Sequence, residues 1–345
     1  MARAKKTSRR NTKKNKEGYF IVVILLLIMT GIAIYLSMHY NGIGECPISG
    51  DIGREMLVKN DTAQKKGALK PAKNLSETGK NEKERERPGR ETVSAGIASA
   101  EKKIFFDKSK VRLELPECSD STYFVTNKIG RYSYLYSPSH KQSEWVAYCL
   151  TGKEVQVKGA ERSNNFKEDV YVISKGWKSA SLSDYKRSGY DRGHLLPSAD
   201  RDDTPMENEE TFLLSNVSPQ KPQLNRNCWN DLEQQVRRWA TKYDTVYVVT
   251  GGVLKSKSDK KPMKRIGEGV TVPNYFYKVV LTEYKGNYYS IGFIIPNIDD
   301  VNRNFRVYAV TVDSVENMAG YDFFPALPDE IEWKTESRLD KKFWF

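Results

Sequence analysis

Histidine is nearly missing from this chain of 345 residues, which has only three, and cysteine is scarce at four. Cys46, Cys118, Cys149 and Cys228 form no Cys-x-x-Cys pair and no Cys/His spacing, which argues against a zinc site. No internal repeat is visible, which sets aside repeat architectures. A one-sided charge is also lacking where a folded domain begins. Residues 105–345 hold 35 Lys/Arg against 33 Asp/Glu, a net of only +2. The overall +12 comes mostly from residues 1–18, with eight Lys/Arg against one Glu. Any nucleic-acid contact in the C-terminal part must therefore rest on local clusters and not on bulk charge.

Charge is wholly absent from Tyr19–Met38, "YFIVVILLLIMTGIAIYLSM". At about 1.5 Å per residue, such a run spans a hydrocarbon layer of about 30 Å. Lys and Arg crowd before it and are sparse after it, so the positive-inside rule places the N-terminus in the cytoplasm and the rest outside. The exit "SMHYNGIGEC" has no A-x-A cleavage pattern, so the run reads as an uncleaved anchor and not a signal peptide. A bacterial envelope and a mitochondrial inner membrane both suit this topology. The tail lacks the amphipathic spacing of a transit peptide, which favours the envelope.

Apolar residues are too few in residues 39–104 for a core, and this stretch reads as a disordered tether. Residues 105–345 are different, with aromatics, β-branched runs and turn residues in alternation. "YSYLYS" and "WVAYCL" predict an early strand pair, and "DTVYVVTGGVL" a buried strand ending in a glycine turn. "VPNYFYKVVLTEYKGNYYSIGFIIPN" predicts two strands joined at "YKGN". "NRNCWNDLEQQVRRWATKY" has the helical stripe Trp229, Leu232, Val236, Trp239. The end, "VTVDSVENMAGYDFFPALPDEIE", predicts a short helix and a Pro-punctuated loop. Strands outnumber helices without regular alternation, so the class is α+β. Beyond the anchor the cysteines stand where disulfides persist; four allow three complete pairings, and the sequence does not choose among them. Cys228 reads as a small buried hydrophobe.

The histidine at 194 stands in "SGYDRGHLLPSADR", followed by "LLSNVSPQKPQLNRNCWNDLE" with Asn216, Asn225 and Glu233 at spacings of nine and eight. Asn225, Trp229, Glu233 and Arg237 form a slowly drifting helical stripe. A histidine, an asparagine and a glutamate without cysteine suit a hard cation such as Mg²⁺, which keeps several waters. Asn225 can give its side-chain oxygen directly and Glu233 can act through water. His194 can take a proton from an attacking water, its ordinary pKa being about 6.5. Arg162 in "GAERSNNFKED" and Arg192 can fork onto phosphate oxygens. Together these describe metal-assisted phosphodiester hydrolysis. Lys278 in "YFYKVV" reads as a surface lysine sooner than as a contact to the substrate backbone, and Arg237 either as a phosphate ligand or as a solvated helix residue.

"YDRGHLLPSAD", "NVSPQ" and "LNRNCWNDLE" resemble the DNA/RNA non-specific endonuclease family, which includes endonuclease G and DNA-entry nucleases. The resemblance covers roughly residues 120–335. It implies a ββα-metal (His-Me finger) fold with a central, mostly antiparallel sheet. It also implies an enzyme acting on DNA and/or RNA with little sequence preference. By it His194 is the general base and Asn225 the direct ligand of Mg²⁺, with Mn²⁺ a substitute. Glu233 then acts through water, Asn216 and Arg192 support the site, Arg162 stabilises the transition state, and a homodimer is plausible. The expected organisation is a basic tail (1–18), an anchor (19–38), a linker (39–104) and a nuclease domain (105–345). The rival reading is a surface protein that binds nucleic acid for uptake without cutting it.

Overall fold

The computed structural model describes residues 40–43, 111–118, 120–255 and 261–345. The Tyr19–Met38 run lies outside these residues, and no helix among them is long and apolar enough to cross a membrane.

Alternating aromatic and small polar residues build the central sheet. Its eight strands run in the order β1 (Tyr40–Ile43), β2 (Phe124–Asn127), β3 (Tyr132–Ser137), β4 (Gln142–Thr151), β7 (Thr245–Gly252), β10 (Tyr275–Tyr284), β11 (Asn287–Pro296), β12 (Ala309–Val310). Every neighbouring pair is antiparallel, as the α+β reading expects. The β10–β11 hairpin turns at Lys285–Gly286, both at positive φ, the geometry that suits the twist of a two-residue hairpin. β1 adds an edge strand from within the stretch read as linker. Two small ribbons stand apart from the sheet: β5 (Asp191–His194) with β6 (Val217–Gln220), and β8 (Arg265–Ile266) with β9 (Val270–Thr271).

The helices are α1 (Gly152–Gln156), α2 (Val170–Ser174), α3 (Leu182–Tyr185), α4 (Pro205–Glu210), α5 (Asn230–Tyr243), α6 (Val312–Ala319), α7 (Asp329–Glu336) and α8 (Lys341–Trp344). The predicted stripe holds on α5: Leu232, Val236 and Trp239 are buried in the main core with Val246, Val248 and Phe293. Successive strand residues point to opposite faces, and both faces are covered. Phe276 of β10 meets Trp229 on the α5 side (5.7 Å between ring centroids). On the other face Tyr277 meets Phe323, Gly292 faces Val315 of α6, and Ser290 Oγ donates to the Thr335 carbonyl of α7.

Three sequence expectations change. The helix predicted over 225–243 starts as a π-helical turn, Leu224–Trp229, and becomes α-helical only at Asn230. The Pro-punctuated C-terminal loop ends in a helix, α7, because Asp329, Glu330 and Glu332 place negative charge in its first turn, where the helix dipole favours it. Cys149 and Cys228 are unbridged thiols, so none of the three complete disulfide pairings forms. Burial pushes both thiols up to about 12, and Cys228 is the buried small residue expected.

Candidate active site

β5 carries the sequence Asp-Arg-Gly-His and pairs with β6, setting Asp191 opposite Gln220 and His194 opposite Val217. The ribbon closes because residue 193 is glycine, where a Cβ would collide with the Gln220 side chain. From β6 the chain enters the π-turn and then α5, so two short strands and a helix frame the site.

His194 is 7% exposed, with its ring held between Phe166 and Phe212 at centroid distances of 5.3 and 4.9 Å. Burial first, then the positive charges of Arg162 and Arg192, push its pKa down to about 3. This corrects the sequence assumption of an ordinary value, because the environment of the ring is apolar and cationic. Among the described residues Nε2 is buried without a hydrogen-bond partner, which leaves Nδ1 as the nitrogen that can meet a water.

Asn216 is fully buried and its amide is committed to the backbone beyond His194. Its Oδ1 accepts from Leu196 N–H at 2.9 Å, and its Nδ2 donates to the carbonyls of Leu196 and Thr211 at 2.9 and 2.8 Å. It braces the chain that follows His194. Arg192 stacks its guanidinium on Phe166 (4.1 Å) and stays exposed. Arg162 lies over Phe212 (5.0 Å) and donates to Ser198 Oγ and, at 2.8 Å, to Asn164 Oδ1. Phe166 and Phe212 thus each carry a guanidinium beside the same imidazole.

Asn225 is half-buried in the π-turn and donates its Nδ2 to Asp191 Oδ2 at 3.1 Å. The amide orientation this implies leaves Oδ1 without a hydrogen-bond partner among the described residues, the arrangement a hard cation needs from an asparagine. Asp191 also receives two bonds from Arg226, at 2.8 and 2.7 Å. Against its partial burial, the hydrogen bonds from Arg226 and Asn225 hold its carboxyl below the usual range. A cleft of about 510 Å³ opens here, lined by Phe166, Tyr190, Asp191, Arg192, Asn225 and Arg226.

Glu233, one face along α5, is raised by burial and pulled back by the positive charges of Lys278 and Arg237. Arg237 is largely buried and donates one N–H to Asp200 Oδ1 at 2.8 Å, and Asp200 is fully buried and also accepts from Tyr148 Oη at 3.0 Å. Lys278 overturns the surface-lysine reading. Its strand is covered on both faces, so Nζ is buried, without a hydrogen-bond partner among the described residues, 4.9 Å from the centre of the Trp229 ring. Burial lowers its pKa and the Glu233 charge works against that.

The structure therefore joins His194, Arg162 and Arg192 through two phenylalanines, ties Asn225 to Asp191, and groups Glu233 with Lys278, Arg237 and Asp200. Sequence reasoning passed over Asp191, although it opens the very motif that held the histidine. Asp200, Ser198 and the two phenylalanines had no spacing signal, since only tertiary folding brings them to the ring. A hard divalent cation fits the donors present: an amide oxygen free to ligate and a carboxylate held near it by cations.

The DNA/RNA non-specific endonuclease family model matches residues 120–330. A nuclease of Nostoc sp. is 36% identical over 220 residues, covering 61% of this chain and 77% of its own length. Mitochondrial endonuclease G of Homo sapiens is 34% identical over 207 residues, 57% of this chain and 69% of its own. Among solved structures, the EndoG/EndoGI complex aligns with a TM-score of 0.53 at 32% identity, over 58% of this chain and 86% of that one. With its β-ribbon, helix and central antiparallel sheet, this chain belongs to the DNA/RNA non-specific endonuclease family.

Proposed function

We propose that this chain is a metal-dependent endonuclease that hydrolyses phosphodiester bonds of DNA and/or RNA with little sequence preference, using His194 as general base. The observation that carries this reading is an imidazole enclosed by two aromatic rings, each bearing a guanidinium.

Arg162 and Arg192 are placed to pair with the oxygens of a phosphodiester, where Arg forks give charge-assisted bonds. In the free protein those same cations depress the basicity of His194. A phosphate between them offsets their charge, so substrate binding strengthens the base at the moment it is needed. His194 Nδ1 then takes the proton of the attacking water, a contribution of about 10²–10⁴-fold in typical cases. Asn225 Oδ1 would hold Mg²⁺ (or Mn²⁺), with Glu233 acting through water. The ion supplies positive charge opposite the charge that builds on the phosphate. Asp191 fixes the Asn225 amide, and Asn216 fixes the loop that follows His194.

The test is single-turnover cleavage of plasmid, single-stranded DNA and RNA by the full chain and its His194→Ala variant, with and without EDTA. The reading requires loss of cleavage in EDTA and a fall of at least about 10²-fold per folded molecule for the variant. Nucleic-acid binding that survives with no cleavage by the unaltered chain in Mg²⁺ would instead establish a capture protein.

We also propose that the enzyme is held to a bacterial envelope membrane by Tyr19–Met38, with the domain on the outer side. An uncharged run of 20 residues behind a tail of eight Lys/Arg supports this. Protease added to spheroplasts should then remove the domain; a protected domain rules the orientation out.

A further inference from the structure

On the face of the sheet opposite α5, α6 and α7 bring together five acidic side chains. Asp313 and Glu316 are three apart on α6, Glu332 and Glu336 four apart on α7, spacings that put each pair on one helical face. Asp322 comes from the loop between the two helices. The carboxylate oxygens of Asp313, Glu316 and Glu336 lie within 4.8 Å of one another, and so do those of Asp322, Glu332 and Glu336. Glu336 belongs to both groups. Only 5% of it is exposed, and its Oε1 is buried with no hydrogen-bond partner among the described residues. The same is true of Glu332 Oε1. Glu316 has one oxygen on the Phe323 N–H at 2.8 Å. Among the described residues, no Lys or Arg forms an ion pair with any of the five.

Burying carboxylates without partners is expensive, and burying several together more so. Two remedies exist: protons shared among the groups, or a cation. Burial and mutual repulsion push Glu316 up to about 7, Glu332 to about 8 and Glu336 to about 10, so the bare cluster holds protons near neutrality. The oxygen separations suit an ion with metal–oxygen distances of about 2.3–2.6 Å, whose opposite ligands stand about 5 Å apart. An all-carboxylate cage of irregular shape is the ligand set Ca²⁺ accepts, whereas Mg²⁺ insists on a tight octahedron and keeps its waters.

We infer that the α6–α7 cluster, with Glu336 at its centre, is a second cation site of the Ca²⁺ class. It ties α6 and α7 to the back of the sheet and takes no part in cleavage.

Calorimetric titration of EDTA-treated, dialysed full-length protein with CaCl2 tests this, with the Asn225→Ala substitution present throughout to silence the other metal position. The expected result is uptake of about one Ca²⁺ per chain, with a rise in melting temperature of about 5 °C or more near hundredfold excess over Kd. Glu336→Gln and Glu332→Gln should each weaken uptake at least about tenfold, because each removes a charged ligand. Circular dichroism establishes folding; if Glu336→Gln does not fold, Glu332→Gln decides. No uptake of Ca²⁺, or uptake indifferent to both folded variants, overturns the assignment, as does equal affinity for Mg²⁺. A more stable Glu336→Gln chain beside an unaltered chain whose melting ignores Ca²⁺ also overturns it, in favour of shared protons.

Discussion

Amide nitrogen, not amide oxygen, is what Asn225 spends on its neighbour. Because Nδ2 is engaged by Asp191, the orientation of Oδ1 is inherited from a carboxylate on β5. Outer partners of metal ligands typically govern 10–100-fold in metal affinity. Asp191→Ala should therefore raise the Mg²⁺ concentration for half-maximal cleavage by about 10-fold or more, with a smaller change in rate at saturation. A rate lost equally at all Mg²⁺ concentrations would assign Asp191 elsewhere. Lys278 acts on a different property. Its positive charge opposes the burial that raises Glu233. Removing it in Lys278→Met lifts the Glu233 pKa further, and a carboxylate needed in its ionised form is then lost at higher pH. The acid limb of the single-turnover pH profile should move upward in the variant; a limb that stays in place separates Glu233 from the rate. The surroundings of His194 were legible because the Asp-Arg-Gly-His motif is contiguous, whereas the place of Asn225 beside Asp191 was not, because the π-turn departs from the helical spacing. Nor was Lys278, because nothing in "YFYKVV" tells that the strand is covered on both sides.

At the scale of elements, the legible pieces are those whose pattern is enforced by one neighbour. The 132–137 strand and the 275–296 hairpin, with its turn at Lys285–Gly286, are found where alternation and turn chemistry place them. α7 was not legible because no apolar stripe marks it: Trp333 is 68% exposed, and its buried positions include Thr335 and Glu336. A helix that buries acids cannot be recognised by a search for hydrophobic period. The π-turn escaped for the opposite reason. Its apolar residues Leu224, Cys228 and Trp229 fall on spacings that an α-helix also satisfies.

For the molecule as a whole, the α6–α7 cluster sets a dependence of stability on pH. The unfolded chain titrates its glutamates near 4.3, while folded Glu336 is raised to about 10 by burial and by Glu316, Glu332, Asp322 and Asp313. The folded state therefore binds more protons than the unfolded between those limits, and this contribution to stability falls as pH rises through that window. In EDTA the melting temperature of the unaltered chain should drop relative to Glu336→Gln between pH 5 and pH 8, a window of about three units inside that range. Parallel curves for the two proteins would mean that Glu336 is ionised in the folded state.

The π-turn links fold and chemistry by a single residue of chain length. An α-helix advances about 100° per residue, and a π-turn is an α-helix that has accepted one residue too many. Deleting Asn227 would let 224–243 run as an ordinary helix, keeping Leu232, Val236 and Trp239 in the core. Asn225 would then be swung by about 100° away from Asp191. The expected protein folds, binds nucleic acid and does not cut, with melting close to the parent. One residue of chain length at this turn therefore sets whether Asn225 stands beside Asp191, while the helix that follows keeps its core contacts.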